Sequence, residues 1–364
     1  MKTVRAGGAL AAAVALTLSA CATNETATPS SSDTSVGSSL SGTLQGTGAS
    51  SAKAAQEVWR AAFQTANPGV TVNYSPDGSG AGRTAFSDGG AVFAGSDRAL
   101  TDDEMTGTFA NCAAGTLPLN LPIYVSPIAI VFNVDGVSDL QLSAEVIAKI
   151  FRGEISNWND PAIAALNSGT TLPDLAITPV HRSDNSGTTE NFTATLAEVA
   201  AEVWTDKASG DWPASLAGEA AQGTSGVIAA VRNGSGTIGY ADESGVEAGM
   251  AMATYVTDAS SSAVGPEADA AAAIVEASSR VAGREANDWA LELDRNAAGY
   301  PFVLVSYAIV CQQYNDAAAG ELVNAYISYV VSDAGQQAAV PQAGNAPLSG
   351  SLATGVQAAA ASIK

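Results

Sequence analysis

Alternating apolar and polar positions predict the first strands of the fold. Residues 70–74 (VTVNY) place apolar side chains at every second position, which is typical of a half-buried strand. Shorter runs predict strands at the start of residues 43–51 and over residues 91–94. Between the first two strands, apolar side chains recur at helical spacing and predict a helix over residues 52–66. This order predicts an α/β fold with a mainly parallel sheet, whose turns gather at the carboxyl ends of the strands.

Two longer runs of apolar residues do not alternate with polar positions. Residues 117–134, which include LPIYVSPIAIVFNV, contain three prolines and are interrupted too often for a helix, so extended chain is predicted. Residues 300–310 (YPFVLVSYAIV) form a second run of this kind. We interpret the two runs as crossings between two lobes. A helix is predicted over residues 322–331, followed by a mobile tail, whereas residues 246–298 show no clear period.

The turn after the strand at residues 70–74 has the composition of an anion site. It reads Gly-Ser-Gly-Ala-Gly over residues 78–82, and a short helix is predicted to begin near Arg83. Backbone N–H groups and the positive end of a helix dipole suit an anion there, and Ser79 adds a hydroxyl group. The next strand delivers Asp97, an acidic residue that fits beside an anion only if the anion carries a proton to donate.

A second polar loop follows a predicted strand at residues 176–180. Arg182 offers a planar fork of donors that matches two oxygens of a tetrahedral anion, and Asp184 is placed to orient the guanidinium. Backbone N–H groups and hydroxyls converge before the helix predicted over residues 190–199, at Ser186, Gly187 and Thr188. The spacing alone also fits a helix cap with a surface ion pair. A third glycine-rich turn at residues 223–226 is interpreted as structural.

Composition and charge narrow the function classes. The chain has 364 residues, enough for two lobes, and 46% of them are hydrophobic. Its net charge of −21 argues against nucleic acid as a partner. An anionic ligand must therefore be held by local donors against an unfavourable long-range field.

The amino terminus has the features of a bacterial lipoprotein signal. Two basic residues precede a short apolar segment that ends in Leu-Ser-Ala-Cys at residues 18–21. This predicts a signal peptide over residues 1–20, a lipid on Cys21 and a flexible tether over residues 21–41. The expected location is extracytoplasmic, anchored to the bacterial cell membrane. An ordinary secretory peptide with an incidental cysteine is the alternative.

The two remaining cysteines form an even pair in an exported chain. Cys112 and Cys311 are therefore predicted to form a disulfide. Two buried free thiols are the alternative.

Several other kinds of site fit the sequence poorly. A dinucleotide fingerprint would need glycine where Arg83 stands, and a P-loop would need lysine after the glycines. A serine hydrolase lacks its Gly-x-Ser-x-Gly elbow, and the chain's one histidine, His181, lies beside the Arg182 loop. Spacing typical of metal ligands is absent. No cofactor and no metal are predicted, and an adhesive or purely structural lipoprotein would not need Arg182 and Asp97 in these contexts.

The two loops together resemble those of the phosphate-binding proteins of ABC transporters, the PstS family. Residues 182–188 match that family's Arg-x-Asp-x-Ser-Gly-Thr phosphate loop, and the Gly-Ser turn at residues 78–82 is followed by Ser-Asp at the family's spacing. The first turn departs from the pattern, because Ser50-Ser51 stands where an aromatic residue commonly follows the hydroxyl residue. The resemblance spans roughly residues 40–340.

The resemblance implies a two-lobed α/β fold of the type II periplasmic-binding-protein class, with a hinged cleft. Lobe I would comprise residues 42–121 and 301–364, and lobe II residues 122–300. The implied phosphate ligands and their supports are Ser50, Ser51, Ser79 and Asp97 on lobe I, with Arg182, Asp184, Ser186, Gly187 and Thr188 on lobe II.

The implied function is high-affinity binding of inorganic phosphate and its delivery to the permease subunits of an ABC importer. A monomer without enzymatic activity is expected. The alternatives are a binding protein for another oxyanion and a phosphate-ester hydrolase.

Overall fold

A computed structural model describes residues 40–364. The predicted signal peptide, the lipidation site Cys21 and the tether up to residue 39 lie outside the described residues. The strands are β1 (Gly42–Gly48), β2 (Val70–Ser75), β3 (Phe93–Ser96), β4 (Pro118–Asn133), β5 (Gln141–Leu142), β6 (Thr178–Arg182), β7 (Glu219–Ala221), β8 (Thr237–Asp242), β9 (Ala251–Met252), β10 (Thr254–Tyr255), β11 (Ser279–Arg280), β12 (Leu291–Glu292) and β13 (Val303–Cys311). The helices are α1 (Lys53–Ala66), α2 (Ser79–Ser87), α3 (Asp102–Met105), α4 (Ala144–Phe151), α5 (Pro161–Leu166), α6 (Gly187–Val199), α7 (Gly223–Asn233), α8 (Ala268–Ala277), α9 (Ala317–Val331), α10 (Asp333–Ala343) and α11 (Gly350–Ala361), with a 3-10 turn at Glu243–Gly245.

One large sheet runs through the fold in the order β2-β1-β3-β13-β4-β8-β6-β7, and β9 pairs with β4 beside this path. We call β2, β1 and β3 its first half and β8, β6 and β7 its second half. Pairing is parallel within each half but antiparallel where β13 meets β3 and where β4 meets β13 and β8. The prediction of a mainly parallel sheet is therefore wrong at the centre, because the two crossing strands run against their neighbours.

Strand β4 joins the two halves of the sheet. Its 16 residues are extended and almost all buried, as the proline-interrupted run predicts. Residues up to Pro127 pair with β13, and residues from Ile128 onward pair with β8. The ladder with β13 is also irregular opposite Tyr307, where it skips Ile123 next to Pro122. Proline has no N–H to donate, so the change of partner and the irregularity both fall where the ladder is already weakened.

Three helices begin earlier than their hydrophobic patterns indicate. Helix α2 begins at Ser79 rather than near Arg83, α6 at Gly187 rather than near residue 190, and α7 at Gly223 rather than at residue 227. In each case the first turn is made of small or hydroxyl residues, mostly glycine, serine and threonine, which give no apolar periodicity. Consequently the glycine-rich turns are themselves the amino-terminal turns of helices, where N–H groups have no acceptor within the helix.

The carboxyl-terminal region is ordered by packing. The prediction of a mobile tail after α9 is wrong, because α10 and α11 follow it and bury Ala339, Val356 and other small side chains. The indole N–H of Trp59 in α1 donates to the carbonyl oxygen of Gly335 in α10 at 2.8 Å. Small alanine side chains let these helices approach closely, and such packing leaves no strong periodic signal in the sequence.

The predicted disulfide is confirmed. Cys112 and Cys311 are bonded and are separated by 199 positions in the sequence. The bond ties the segment after α3 to the end of β13. Among residues 40–364, no helix has both the length and the apolar character that crossing a membrane would require.

Candidate functional site

The turn after β1 directs two neighbouring hydroxyl groups at different partners. Gly48 ends β1 with φ of 139°, and a β-carbon there would lie 1.9 Å from the carbonyl oxygen of Gly95 in β3. Only glycine permits this close approach. Ser51 then donates from Oγ to Oδ1 of Asp97 at 2.6 Å. Ser50 instead faces α7, with its Oγ 3.1 Å from Oγ1 of Thr224 and accepting the Thr224 N–H at 3.2 Å.

The turn after β2 places Ser79 under the backbone of Asp97. Gly78 precedes α2 with φ of 102°, and Oγ of Ser79 accepts the N–H of Asp97 at 3.1 Å. The next N–H, that of Gly80, donates to the carbonyl oxygen of Asn185 at 3.1 Å. The first turn of α2 therefore contacts both the strand beside it and the loop of the second half of the sheet.

The turns after β1, β2 and β6 and the start of α6 together form a polar cluster. Asp97 lies at its centre, with only 2% of its surface exposed. Its carboxylate accepts hydrogen bonds from Ser51 and, at 3.2 Å, from Oγ1 of Thr188. Burial raises the pKa of Asp97, while the hydroxyl donors and the charge of Arg182 act in the opposite direction. Two hydroxyl donors leave lone pairs on the carboxylate, which can accept a further hydrogen bond from a protonated ligand.

The end of β6 carries a buried guanidinium group held by a carboxylate. Nε of Arg182 donates to Oδ1 of Asp184 at 2.8 Å, and its Nη2 pairs with the other carboxylate oxygen. Asp184 also accepts the N–H of Gly223 at 3.0 Å. Burial alone would raise the pKa of Asp184, but the hydrogen bonds and charge of Arg182 bring it below the ordinary value. The pair fixes one edge of the guanidinium and leaves Nη1 without a bond to Asp184.

The first turn of α6 completes the cluster from the second half of the sheet. Ser186 caps the helix by accepting the N–H of Thr189 at 3.2 Å. Gly187 follows and lies against Ser79 and Asp97, and Thr188 reaches the Asp97 carboxylate. Helix α6 has 13 residues, so its amino-terminal dipole and unpaired first-turn N–H groups favour an anion at this position.

Of the nine predicted site residues, Ser51, Ser79, Gly187 and Thr188 contact Asp97 directly. The Arg182–Asp184 pair lies beside the start of α2, and Ser186 caps the helix that carries Gly187 and Thr188. The link between the two motifs is tight, since a β-carbon on Gly78 would lie 2.6 Å from Oδ2 of Asp184. Ser50 is the exception. It lies at the edge of the cluster, in a groove of about 450 Å³ that Ser51, Lys53 and Thr224 also line.

Sequence reasoning missed several residues that support this site. Asn191 donates from Nδ2 to the carbonyl oxygens of Asp97 at 2.6 Å and Gly187 at 3.0 Å. Thr224 forms a hydrogen bond with Ser50, so the turn at residues 223–226, which the sequence predicts as structural, also borders the cluster. The hydroxyl of Tyr240 accepts the N–H of Arg182 at 3.3 Å. For Asn191 a signal exists, because it follows Gly187 by four residues and so shares its helix face.

The donor groups of the cluster suit an anion. Apart from the carboxylates of Asp97 and Asp184, its groups are hydroxyls, helix amino termini and a guanidinium, which can donate hydrogen bonds or carry positive charge. In the part of the chain that the structure describes, no group of three or more His, Cys, Asp or Glu side chains could hold a metal ion.

The sequence is similar to known proteins over most of its length. Residues 28–334 match the PBP superfamily domain. Phosphate-binding protein PstS 3 of Mycobacterium tuberculosis (strain H37Rv) is 36% identical over 349 residues, which cover 92% of this chain and 93% of the relative. Phosphate-binding protein PstS 2 of the same strain is 34% identical over 359 residues, covering 96% of each chain.

Solved structures share the fold. A phosphate-binding protein from Stenotrophomonas maltophilia superposes with a TM-score of 0.69 at 21% identity, covering 87% of this chain and 93% of that one. A high-affinity periplasmic phosphate-binding protein, PfluDING, solved with bound phosphate, gives a TM-score of 0.67 at 23% identity over the same shares. The chain therefore belongs to the PstS family of phosphate-binding proteins within the PBP superfamily and has the two-lobed α/β fold of that superfamily.

Proposed function

We propose that this protein binds inorganic phosphate in the cleft between its two lobes and delivers it to the permease of an ABC importer. The observation that carries the proposal is that one cluster of hydroxyl groups contains both the buried guanidinium of Arg182 and the buried carboxylate of Asp97. Arg182 and the helix starts supply positive potential and donors for a tetrahedral anion. Asp97 supplies an acceptor, which only an anion that still carries a proton can use.

The assignment of ligand residues follows from this pairing. Arg182 contacts phosphate oxygens through its guanidinium, and Asp184 holds that guanidinium in position. Asp97 accepts the phosphate O–H. Hydroxyl and N–H donors complete the shell, from Ser50, Ser51, Ser79, Ser186, Gly187 and Thr188. Ser51 and Thr188 contribute backbone N–H groups, since their hydroxyls donate to Asp97. The names of the relatives, phosphate-binding proteins PstS 2 and PstS 3, support phosphate as the ligand.

The lobe boundaries and the cellular setting belong to the same proposal. Lobe I is assigned to residues 42–121 and 301–364, and lobe II to residues 122–300. The change of partner along β4 at Pro127 supports a division close to this point. A signal peptide over residues 1–20, lipidation of Cys21, a tether to the outer face of the cell membrane and a monomeric state complete the proposal. Binding is stoichiometric and phosphate leaves unchanged, so no ester is hydrolysed.

Titration calorimetry on protein stripped of bound ligand tests the proposal. One equivalent of phosphate should bind, sulfate should compete poorly, and a phosphate ester should not be turned over. Arg182→Ala should weaken phosphate binding by several kcal/mol, because charge-assisted hydrogen bonds contribute about 1.5–3 kcal/mol each and their loss leaves ligand oxygens unpaired.

A matched control is Arg232→Ala, since Arg232 lies in the last turn of α7, at the opposite end of that helix from Gly223 and Thr224, and forms an exposed ion pair with Glu247. Unchanged phosphate affinity in Arg182→Ala would contradict the site assignment. Tighter binding of sulfate than phosphate by the parent protein would identify a receptor for a different oxyanion.

A further inference from the structure

Another buried arginine lies behind the site, in the segment where the sequence shows no clear hydrophobic periodicity. Arg295 is only 5% exposed. From Nη1 it donates to Oγ1 of Thr195 at 3.0 Å and to the carbonyl oxygens of Pro301 at 3.2 Å and Val303 at 2.9 Å. From Nη2 it donates to Oδ1 of Asn191 at 2.5 Å. The guanidinium thus joins α6 to the chain that enters β13.

The charge on this guanidinium is not neutralised by direct contact. The ion pairs formed among residues 40–364 use other cations, and Arg295 is absent from them. Its nearest acidic support is Glu198, which accepts the backbone N–H of Arg295 at 3.1 Å. Burial lowers the pKa of Arg295 to about 10, so the group stays protonated at neutral pH. A buried cation without a carboxylate is costly, and a nearby anion offsets that cost.

The bond from Arg295 determines how the Asn191 amide is oriented. With Oδ1 accepting from the guanidinium, Nδ2 points at the carbonyl oxygens of Asp97 and Gly187. The opposite orientation would place the amide oxygen against two carbonyl oxygens and the amide NH2 against a cation, which is unfavourable. Asn191 is therefore held in the orientation that ties the Asp97 peptide to the first turn of α6.

These contacts form a continuous path to the anion site. Arg295 and Asp97 also line the same small cavity of about 230 Å³, together with Asn191 and Glu198. The path begins at the entry to β13, passes through α6 and ends at the main chain of the residue assigned to read the ligand proton. A displacement of Asn191 would move that peptide and with it the direction of the carboxylate.

We propose that Arg295 is a positioning residue of the anion site, acting through Asn191 on Asp97 and adding a buried positive charge behind the ligand. The inference rests on the proposed function, because it assigns Arg295 a part in binding phosphate. Arg295 does not contact the ligand in this scheme. It keeps the two sides of the closed cleft in register.

Two substitutions and their combination test the inference. Arg295→Met removes the donors while keeping a long apolar stem, and Asn191→Leu removes the amide while keeping its approximate shape. Each should raise the dissociation constant for phosphate by roughly tenfold or more and lower the phosphate-to-sulfate affinity ratio. The double variant should be only slightly weaker than either single variant, since residues in one hydrogen-bond network are not additive. Arg295→Lys, which keeps the charge but loses the planar fork, should recover part of the affinity.

Arg280→Met is the matched control. Arg280 lies in the same segment and also donates to main-chain carbonyl groups, those of Glu285, Ala286 and Asp288, but it stacks on Trp289 and has no contact with the cluster. The affinity of the Arg280→Met variant for phosphate should equal that of the parent.

The outcomes separate the inference from the proposed function. If the parent fails to bind phosphate, the proposed function is wrong and the inference falls with it. If the parent binds phosphate but a folded Arg295→Met variant binds it equally well and keeps the same phosphate-to-sulfate affinity ratio, only the inference is overturned. Additive losses in the double variant would also overturn it. Should Arg295→Met fail to fold, Asn191→Leu decides alone, because unchanged affinity in that variant excludes the path.

Discussion

Gly187 and Asp97 face each other across the cluster so closely that a β-carbon on Gly187 would lie 2.5 Å from the β-carbon of Asp97. The two residues belong to opposite halves of the sheet, Gly187 at the start of α6 and Asp97 directly after β3. Their contact exists because no side chain stands between them. A side chain at position 187 would therefore force the start of α6 away from Asp97 and Ser79.

Gly187→Ala should weaken phosphate binding by opposing this contact. Inserting a methyl group into a well-packed site costs about 1–3 kcal/mol, and here the cost falls on the closed arrangement of the lobes. Calorimetry on the stripped variant gives the change in affinity, and thermal unfolding of the ligand-free variant should stay close to that of the parent. Gly169→Ala is the control, because a β-carbon at Gly169 meets nothing within 4 Å. Equal phosphate affinity for both variants would contradict the prediction.

Asp97→Asn should reduce the difference in affinity between phosphate and sulfate, mainly by allowing sulfate to bind. Near neutral pH phosphate keeps a proton that Asp97 accepts, whereas sulfate has none and meets the carboxylate directly in a buried cleft. Rejection of this kind can reach roughly 10⁴–10⁵-fold. The variant keeps the shape, removes the charge and adds a donor. Competition binding with both anions measures the ratio.

The same argument gives a pH dependence for the parent. Burial raises the pKa of Asp97, so as the pH falls through that pKa the carboxylate gains a proton and becomes a donor. Sulfate should then be rejected less strongly at acid pH. Asp135→Asn, at an exposed turn, should leave the ratio at every pH as it is in the parent. Persistent exclusion of sulfate by Asp97→Asn would show that another residue discriminates.

Removing the Cys112–Cys311 disulfide should lower the free energy of unfolding. The bond closes a loop spanning 199 positions, for which the chain-entropy model gives roughly 5 kcal/mol as an upper guide. Urea unfolding of the Cys112→Ala/Cys311→Ala variant, compared with the parent under oxidising conditions, gives the loss directly. Reductant should lower the parent's midpoint and leave that of the variant in place. A variant as stable as the oxidised parent would show that the bond adds nothing to the fold.

Asp242 should make stability depend on pH. It is fully buried, Oδ1 accepts from Tyr124 at 2.9 Å, and Oδ2 has no hydrogen-bond partner among the described residues. Burial raises the pKa of Asp242 to about 7, so the folded protein holds this proton more tightly than the unfolded chain does. As the pH rises from about 4 to about 7, the unfolded chain releases the proton first, and the free energy of unfolding falls.

Asp242→Asn should remove this contribution and leave the variant more stable than the parent at alkaline pH, by up to roughly 4 kcal/mol. Below about pH 4 the two proteins should differ little through this group. Denaturant unfolding across the pH range measures both curves, with Asp135→Asn as the exposed control. Parallel curves for the parent and Asp242→Asn would contradict the assigned titration.

The parts of the site that lie within one short stretch could be predicted from the sequence. Ser79 and Arg182 each belong to a short stretch at the end of a strand that combines glycine, hydroxyl and charged residues, so the chemistry of each stretch is visible in one place along the sequence. The structure brings the two loops together. Asn191 and Arg295 could not be found in the same way, because they act through single contacts made by tertiary packing. No pattern along the chain marks a side chain whose partner is 104 positions away.

The errors in the fold have a similar origin. Hydrophobic periodicity shows which residues of a helix are buried on one face. Glycine and hydroxyl residues in a first turn, such as Ser79 and Gly187, add nothing to that periodicity, so the start of the helix is predicted too late. Strand direction is set by which strands become neighbours. The antiparallel centre of the sheet follows from β13 lying beside β3 and β4, an adjacency that local sequence does not encode.

The position of β13 has a consequence for how a newly made chain can reach this structure. β13 lies between β3 and β4 in the sheet, yet it is synthesised long after both. A chain that emerges amino terminus first therefore holds two unpaired strand edges, at Phe93–Ser96 and at residues 118–127 of β4, until Val303–Cys311 is available. Completion of the sheet is a late event with high contact order, and it should be correspondingly slow. A chain that stops before residue 303 would keep both edges open to pairing with other molecules.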